Sequence, residues 1–201
     1  MRRALAITVA ILLGFRCMAS EPAPLVTFSV EWGYSATLVT SYHFNYICNE
    51  GYRIDLEGNE VGFNSNGGLL LTAGFHISDQ VRIGIASGYE GINRNNRIIP
   101  LECRMTLYPK GYCNDGFVCN ADAGFGLRDS FRNISAFCCG MGGGYHVSLS
   151  RRISIDFLLN TRMFIDRPPI EDIDDGFVPE RNIRKDIARY HAMNLSIALN
   201  F

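Results

Sequence analysis

From Leu25 onward the chain alternates between apolar and polar or small residues. Val26, Phe28, Val30, Trp32 and Tyr34 fall on one side, and Thr27, Ser29, Glu31, Gly33 and Ser35 fall on the other. A period of two is that of a β-strand with one oily and one wet face. The pattern returns seven times. Leu69, Leu71, Ala73, Phe75 and Ile77 share a face between Gly68 and Ser78, and Val81, Ile83, Ile85 and Tyr89 share one in the strand that follows. Ile99, Leu101, Cys103, Met105 and Leu107 oppose Glu102, Arg104 and Thr106. Cys119, Ala121, Ala123, Phe125 and Leu127 oppose Asn120, Asp122, Gly124, Gly126 and Arg128. Phe137, Cys139, Met141, Tyr145, Val147 and Leu149 oppose Cys138, Gly140, Gly142, Gly144, His146 and Ser148. Ile153, Ile155, Phe157, Leu159 and Met163 oppose Ser154, Asp156, Asn160 and Arg162. The last segment, Tyr190 to Phe201, sets Met193, Leu195, Ile197, Leu199 and Phe201 against Ala192, Asn194, Ser196, Ala198 and Asn200. No helical period competes, so the chain reads as all-β, an eight-stranded antiparallel meander.

The connections alternate as well. Those at Ser78-Asp79-Gln80, Pro109 to Gly116 and Ser150-Arg151-Arg152 are turns. The stretch from Leu38 to Asn66 and the loop from Asp166 to Asp186 are long, and 91–97 and 129–132 are modest loops on the same side. Which face is inside follows from residue size. The polar face carries Gly84, Gly88, Gly124, Gly126, Gly140 and Gly142, too little side chain to clothe a water-exposed surface but suited to a cramped interior. An eight-stranded barrel has room inside only for side chains. The other face is bulky on every strand, with Trp32, Tyr34, Tyr89, Tyr145 and Phe201 toward the strand ends, as interfacial girdles are. Lipid tolerates no unpaired edge, so the sheet closes. The expected fold is an up-and-down transmembrane β-barrel with both chain ends on the short-turn, periplasmic side.

The amino terminus supplies the export signal such a barrel needs. Arg2 and Arg3 precede an apolar run from Ala4 to Phe15, then small residues around Ala19 and Ser20. These are the parts of a secretory signal peptide, with the cut placed after Ala19, leaving 20–201 as one barrel domain. Acylation at Cys17 is the competing reading, opposed by Arg16 directly before it. No other run approaches the roughly 20 apolar residues of a membrane helix. Mean hydropathy is +0.04, as expected when half the strand residues face a lumen. Loss of the leader's three arginines takes the formal net charge from -1 to -4, and nothing points to nucleic acid. Six cysteines remain beyond the leader: Cys48, Cys103, Cys113, Cys119, Cys138 and Cys139. Cys138 and Cys139 point to opposite faces; Cys113 and Cys119 flank a turn and are the candidate disulfide, against the alternative that most are small apolar fillers. No pair has metal-ligand spacing and no cofactor motif is present.

Leader, eight amphipathic strands, alternating loop lengths and the terminal Phe201 together resemble the small outer-membrane β-barrel family of OmpA/OmpX type. The segments LLLTAGFHISDQVRIGIASGYEGI and GMGGGYHVSLSRRISIDFLL look like the barrel-domain proteins common in Bacteroidota. The resemblance covers Leu25 to Phe201 and is architectural. It implies outer-membrane lipids and lipopolysaccharide as surroundings and a monomeric barrel. It also implies an assembly machinery that reads the closing strand, Met193, Leu195, Ile197, Leu199 and Phe201.

Inward charges are Glu31, Arg82, Glu90, Glu102, Arg104, Asp122, Arg128, Asp156 and Arg162. They are expected to pair into a lumenal network, because an unpaired buried charge is costly. The competing reading is a narrow gated pore in which Arg104, Arg82, Glu102 and Asp156 form switchable pairs. A membrane hydrolase acting on lipid A would need a nucleophile beside a base; His146 and Ser148 are the candidate pair, at the periplasmic end, and His191 stands nearer the outer side. Glu171, Asp172, Asp174 and Asp175 cluster in the last loop, as a solvated surface or a weak calcium site. Tyr42, Phe44 and Tyr46 are read as upper barrel wall. A structural or surface-interaction protein without catalysis is the expectation, with a soluble ligand-binding barrel as a further alternative.

Overall fold

Eight strands close into a ring in the computed structural model, which describes residues 23–48, 50–92, 97–128, 134–150, 152–168, 170–172 and 176–201. The leader expected over 1–19 lies outside the described residues, as do part of the loop at 91–97, all of the loop at 129–132 and, in the last loop, Asp174 and Asp175. The strands are β1 (Val26–Ile47), β2 (Arg53–Ser78), β3 (Val81–Gly91), β4 (Arg97–Leu107), β5 (Gly116–Arg128), β6 (Ile134–Ser148), β7 (Ser154–Asp166) and β8 (Ile183–Asn200). Each pairs antiparallel with its chain neighbour, and β1 pairs with β8 to complete the wall. Phe28 and Phe201 exchange backbone hydrogen bonds of 2.8 and 2.9 Å at the seam, so the chain's last residue helps to close it.

The three turns at one end are tied by their own side chains. Ser78 Oγ accepts from the amides of Gln80 and Val81, and Ser150 Oγ accepts from those of Arg152 and Ile153. A serine opening a turn in this way fixes the register of both flanking strands. The turn after β4 differs from its expected form. It spans 108–115, uses Gly111 at φ 88°, and folds inward with Tyr108 and Tyr112 each 1% exposed. Tyr108 N–H donates to Gln80 O at 2.7 Å and Tyr112 N–H to Asp79 O at 2.8 Å, which stitches it to the neighbouring turn.

At the opposite end the long connections are mostly strand. The stretch from Leu38 to Asn66, read as a long connection whose ends could extend the flanking strands, is the hydrogen-bonded ascent of β1 and descent of β2, paired out to Ile47 and Arg53. The closing strand begins at Ile183, not Tyr190, which shortens the expected Asp166 to Asp186 loop; a two-residue ladder of Glu171–Asp172 and Gly176–Phe177 lies within it. Polar composition hid these extensions, because above a membrane a strand has no oily side to display. Pairing of β2 with β3 stops at Gly68 and pairing of β8 with β7 stops at Ala188. The upper parts of β2, β1 and β8 therefore stand as a three-stranded sheet beyond the rim.

Every tested face assignment within the barrel holds. Thr27, Ser29, Glu31 and Ser35 are buried while Val26, Phe28, Trp32 and Tyr34 are exposed, and on β8 Leu195 is 66% exposed beside Ser196 at 2%. Six free cysteines are present among the described residues. The candidate Cys113–Cys119 bridge is not formed, because Cys119 faces outward on β5 whereas Cys113 packs beside Tyr108 and Tyr112 inside.

Candidate functional site

The lumen holds three layers of side chains, each positioned by strand alternation. The middle layer is ionic. Arg104 of β4 contacts Glu31 of β1, and its Nη2 lies 3.3 Å from Asp122 Oδ2 of β5. Arg162 of β7 contacts Glu102 of β4, with Nε 3.0 Å from Glu90 Oε1 and Nη1 3.7 Å from Asp122 Oδ1. Ser196 Oγ donates to the second oxygen of Glu31 at 2.6 Å. Two arginines and four carboxylates thus tie five strands together, with Asp122 shared between the arginines, which is how buried charge is tolerated. The space comes from glycine: a Cβ on Gly140 would stand 2.7 Å from Asp122 Oδ1, and one on Gly142 would stand 2.0 Å from Asn160 Oδ1.

The layer at the turn end is aromatic and histidine-rich. Asp156 accepts from Asn200 Nδ2 at 3.0 Å and from the Tyr108 hydroxyl at 3.3 Å, and His146 Nδ1 meets its other oxygen. His146 Nε2 lies 2.6 Å from the carbonyl oxygen of Tyr112. The rings of Tyr108, Tyr112, His146 and His76 pack together with centroids 4.6–6.2 Å apart, His76 stacked on Tyr108 and the other pairs edge to face or tilted. Arg82 donates to Asn200 Oδ1 at 2.9 Å. The outer layer is apolar, built from Ile92, Ile98, Ala136, Cys138, Phe164, Ala188, Tyr190 and Ala192 with Tyr42 and Phe44 against it. A bulge makes that possible. The register of β1 slips between Thr37 and Val39, so Tyr42 and Phe44 turn inward above it and stack with centroids 5.5 Å apart. Both lie in a strand, as the wall reading requires, but their side chains point into the bore and Phe44 stands above the last pair between β8 and β7.

Of the anticipated lumenal residues, Glu31, Arg82, Glu102, Arg104, Asp122, Asp156 and Arg162 are all buried inside. Arg128 ends β5, and its side chain lies outside the described residues. The quartet Arg104, Arg82, Glu102 and Asp156 does not form one set of exchanging pairs. Arg104 and Glu102 belong to the ionic layer with different partners, while Arg82 and Asp156 belong to the layer below. The sequence reading missed Tyr108 and Tyr112; a Tyr pair around Gly111 in a segment longer than a hairpin needs was the available signal. His146 has both ring nitrogens engaged, by Asp156 and by Tyr112 O, leaving neither to activate Ser148. His191 stands exposed on the outer face of β8, opposite Val39 and Met163.

The outer surface completes the picture. Leu69, Leu71, Phe75, Ile85, Leu101, Phe125, Met141, Leu159, Leu195 and Ile197 all point away from the axis and are exposed. Met193, Leu199 and Phe201 of the closing strand do the same. Trp32, Tyr34 and Tyr89 rim this band toward the upstanding sheet, while Phe117, Tyr145, Phe28 and Phe201 rim it toward the turns, the last two 6.4 Å apart. A soluble ligand-binding barrel would hold such residues in its centre. A contiguous apolar belt around a polar, filled lumen is stable only in hydrocarbon.

No protein-family model matches the chain, and no curated protein matches it in sequence. Among solved structures it is similar in shape to neisserial surface protein A at 10% identity, covering 86% of this chain and 95% of that one with a TM-score of 0.45. It is similar to outer membrane protein OprG from Pseudomonas aeruginosa at 10% identity, covering 89% and 97%, also at 0.45. For outer membrane protein AlkL, solved in DMPC bilayers, identity is 9%, coverage 92% and 94%, and the score 0.45. On its own wall, belt and lumen, this chain has the architecture of a small eight-stranded outer-membrane β-barrel.

Proposed function

We propose that the protein is an integral outer-membrane barrel with a structural or surface-interaction role and a lumen that does not conduct. The observation that supports this is the stack of side chains across the bore: an aromatic plug at one end, two arginines shared among four carboxylates, and an apolar plug at the other. The void among Glu31, Glu90 and Asn194 measures only about 10 Å³, room for no more than one water. In this reading the leader over 1–19 directs export, the assembly machinery reads the strand ending in Phe201, and the monomer rests in lipopolysaccharide. Its working surface is the sheet formed by the upper parts of β2, β1 and β8.

Planar-bilayer recording on the refolded chain tests it. A silent membrane, with the protein shown to be inserted by heat-modifiable migration, is the expected result. Discrete conductance steps would replace this reading with the narrow gated pore.

A further inference from the structure

Three ladder rows on the outward side of the upstanding sheet place unlike chemistry side by side. Asn59, Ser41 and Arg189 form one row, Glu57, His43 and Ile187 the next, and Asp55, Asn45 and Lys185 the third. Cations therefore run down the β8 column and acids and an amide down the β2 column. The first two rows and Lys185 line a recess of about 200 Å³. Its centre is fixed: Lys185 Nζ donates to His43 Nδ1 at 3.0 Å, and His43 Nε2 lies 3.1 Å from Asp55 Oδ1. The ring is thus wedged between Lys185 on one side and Asp55 on the other, with Glu57 Oε2 3.7 Å from Nδ1. Arg189 is exposed and in no ion pair among the described residues.

Position says what meets this recess. Arg189 and Lys185 lie beyond Met193, the last apolar outward residue of β8 apart from Ile187. At a strand rise of about 3.3 Å and a tilt of about 40°, they stand roughly 10 and 20 Å above it. The recess opens sideways, away from the barrel axis, so it faces the headgroups of neighbouring outer-leaflet lipids. Building on the outer-membrane reading, we propose that it binds an acidic sugar of the surrounding glycolipid. The phosphate or carboxylate lies on Arg189 and Lys185, and ring hydroxyls are held by Glu57, Asn59 and Ser41. The acidic β2 column is what makes the site selective. A plain anion would be repelled by Glu57 and Asp55, whereas a ligand charged at one end and hydroxylated at the other satisfies both columns.

The test uses the full chain in detergent micelles, with labelled lipopolysaccharide truncated to lipid A and its acidic inner-core sugars as the probe. Saturable binding is expected, weakened about tenfold or more in R189A/K185A through loss of charge-assisted hydrogen bonds and weakened also in E57Q. Inorganic phosphate at the same concentrations is expected not to compete. Equal binding by the double variant, absence of saturable binding by the wild type, or competition by phosphate alone would each overturn the proposal. Heat-modifiable migration is read on every sample, with R189Q/K185Q as the replacement where the alanine variant does not close. A wild-type chain that shows no heat shift would instead overturn the barrel reading beneath it.

Discussion

Arg162 on β7 reaches across the lumen to Glu102 on β4, three strands away around the ring, while its Nε lies 3.0 Å from Glu90 on β3. One side chain thereby braces opposite sides of the wall. Removing it leaves Glu90 and Glu102 buried together without their cation, a situation that costs about 3–5 kcal/mol. Arg162→Met is expected to lower unfolding free energy in urea by about that amount, measured on the barrel folded into lipid vesicles. The double replacement of Arg162 by Met and Glu102 by Leu should recover part of the loss, because it removes a stranded charge along with its partner.

The belt makes a prediction of opposite sign to that of a soluble protein. Leu195 sits near the middle of the outward face of β8 and is 66% exposed. On a water-facing surface Leu195→Arg would be nearly neutral. In hydrocarbon an arginine at this depth costs about 2–4 kcal/mol. Folding titrations into vesicles are expected to show that loss for Leu195→Arg, and a smaller one for Phe117→Arg, at the turn end of the belt.

Most of the wall was legible because lipid imposes a strict rule: each outward position from Val26 to Tyr34 and from Met193 to Phe201 must be oily, and each inward one must fit a narrow bore. That rule also identified the buried charges on Glu31, Arg104, Asp122 and Arg162. It could not assign partners, since pairing depends on shear and on which side chains cross the bore. Outside the membrane the rule lapses. The strands through Asp55, Glu57 and Lys185 carry polar residues on their outward face and read as long connections. The bulge that turns Tyr42 and Phe44 inward leaves no mark beyond a slip in parity at Leu38. Tyr112 lies inside the expected Pro109 to Gly116 turn and Tyr108 just before it, and nothing in a single chain announces that a turn folds back into a barrel.

That inward turn is pinned by His146. Its Nε2 is 2.6 Å from Tyr112 O and its other nitrogen meets Asp156. His146→Ala withdraws both contacts and opens a space beneath Tyr108. Loss of a buried donor to a carboxylate costs about 1–3 kcal/mol. The expected local effect is release of the turn, which carries the exposed Lys110. Trypsin added to the refolded barrel in detergent micelles should cut at Lys110 in the variant and spare the wild type. Equal protection in both would show that the stitching of Tyr108 and Tyr112 to Gln80 and Asp79 is sufficient alone.

Gly142 tests the packing of the bore most directly. A Cβ there would stand 2.0 Å from Asn160 Oδ1 and 2.4 Å from Leu159 O, and only the first of these can swing away. The second is backbone of the neighbouring strand, so β6 and β7 must separate to admit any side chain. Overpacking a filled interior commonly costs about 1–3 kcal/mol, more where backbone must move. Gly142→Val is expected to abolish the heat-modifiable form or shift its unfolding to markedly lower urea. Gly62→Val serves as the control, because its Cβ would meet only Asn64 Nδ2, at 3.9 Å. The control should fold as the wild type does; equal damage at both positions would mean that the bore is not packed as described.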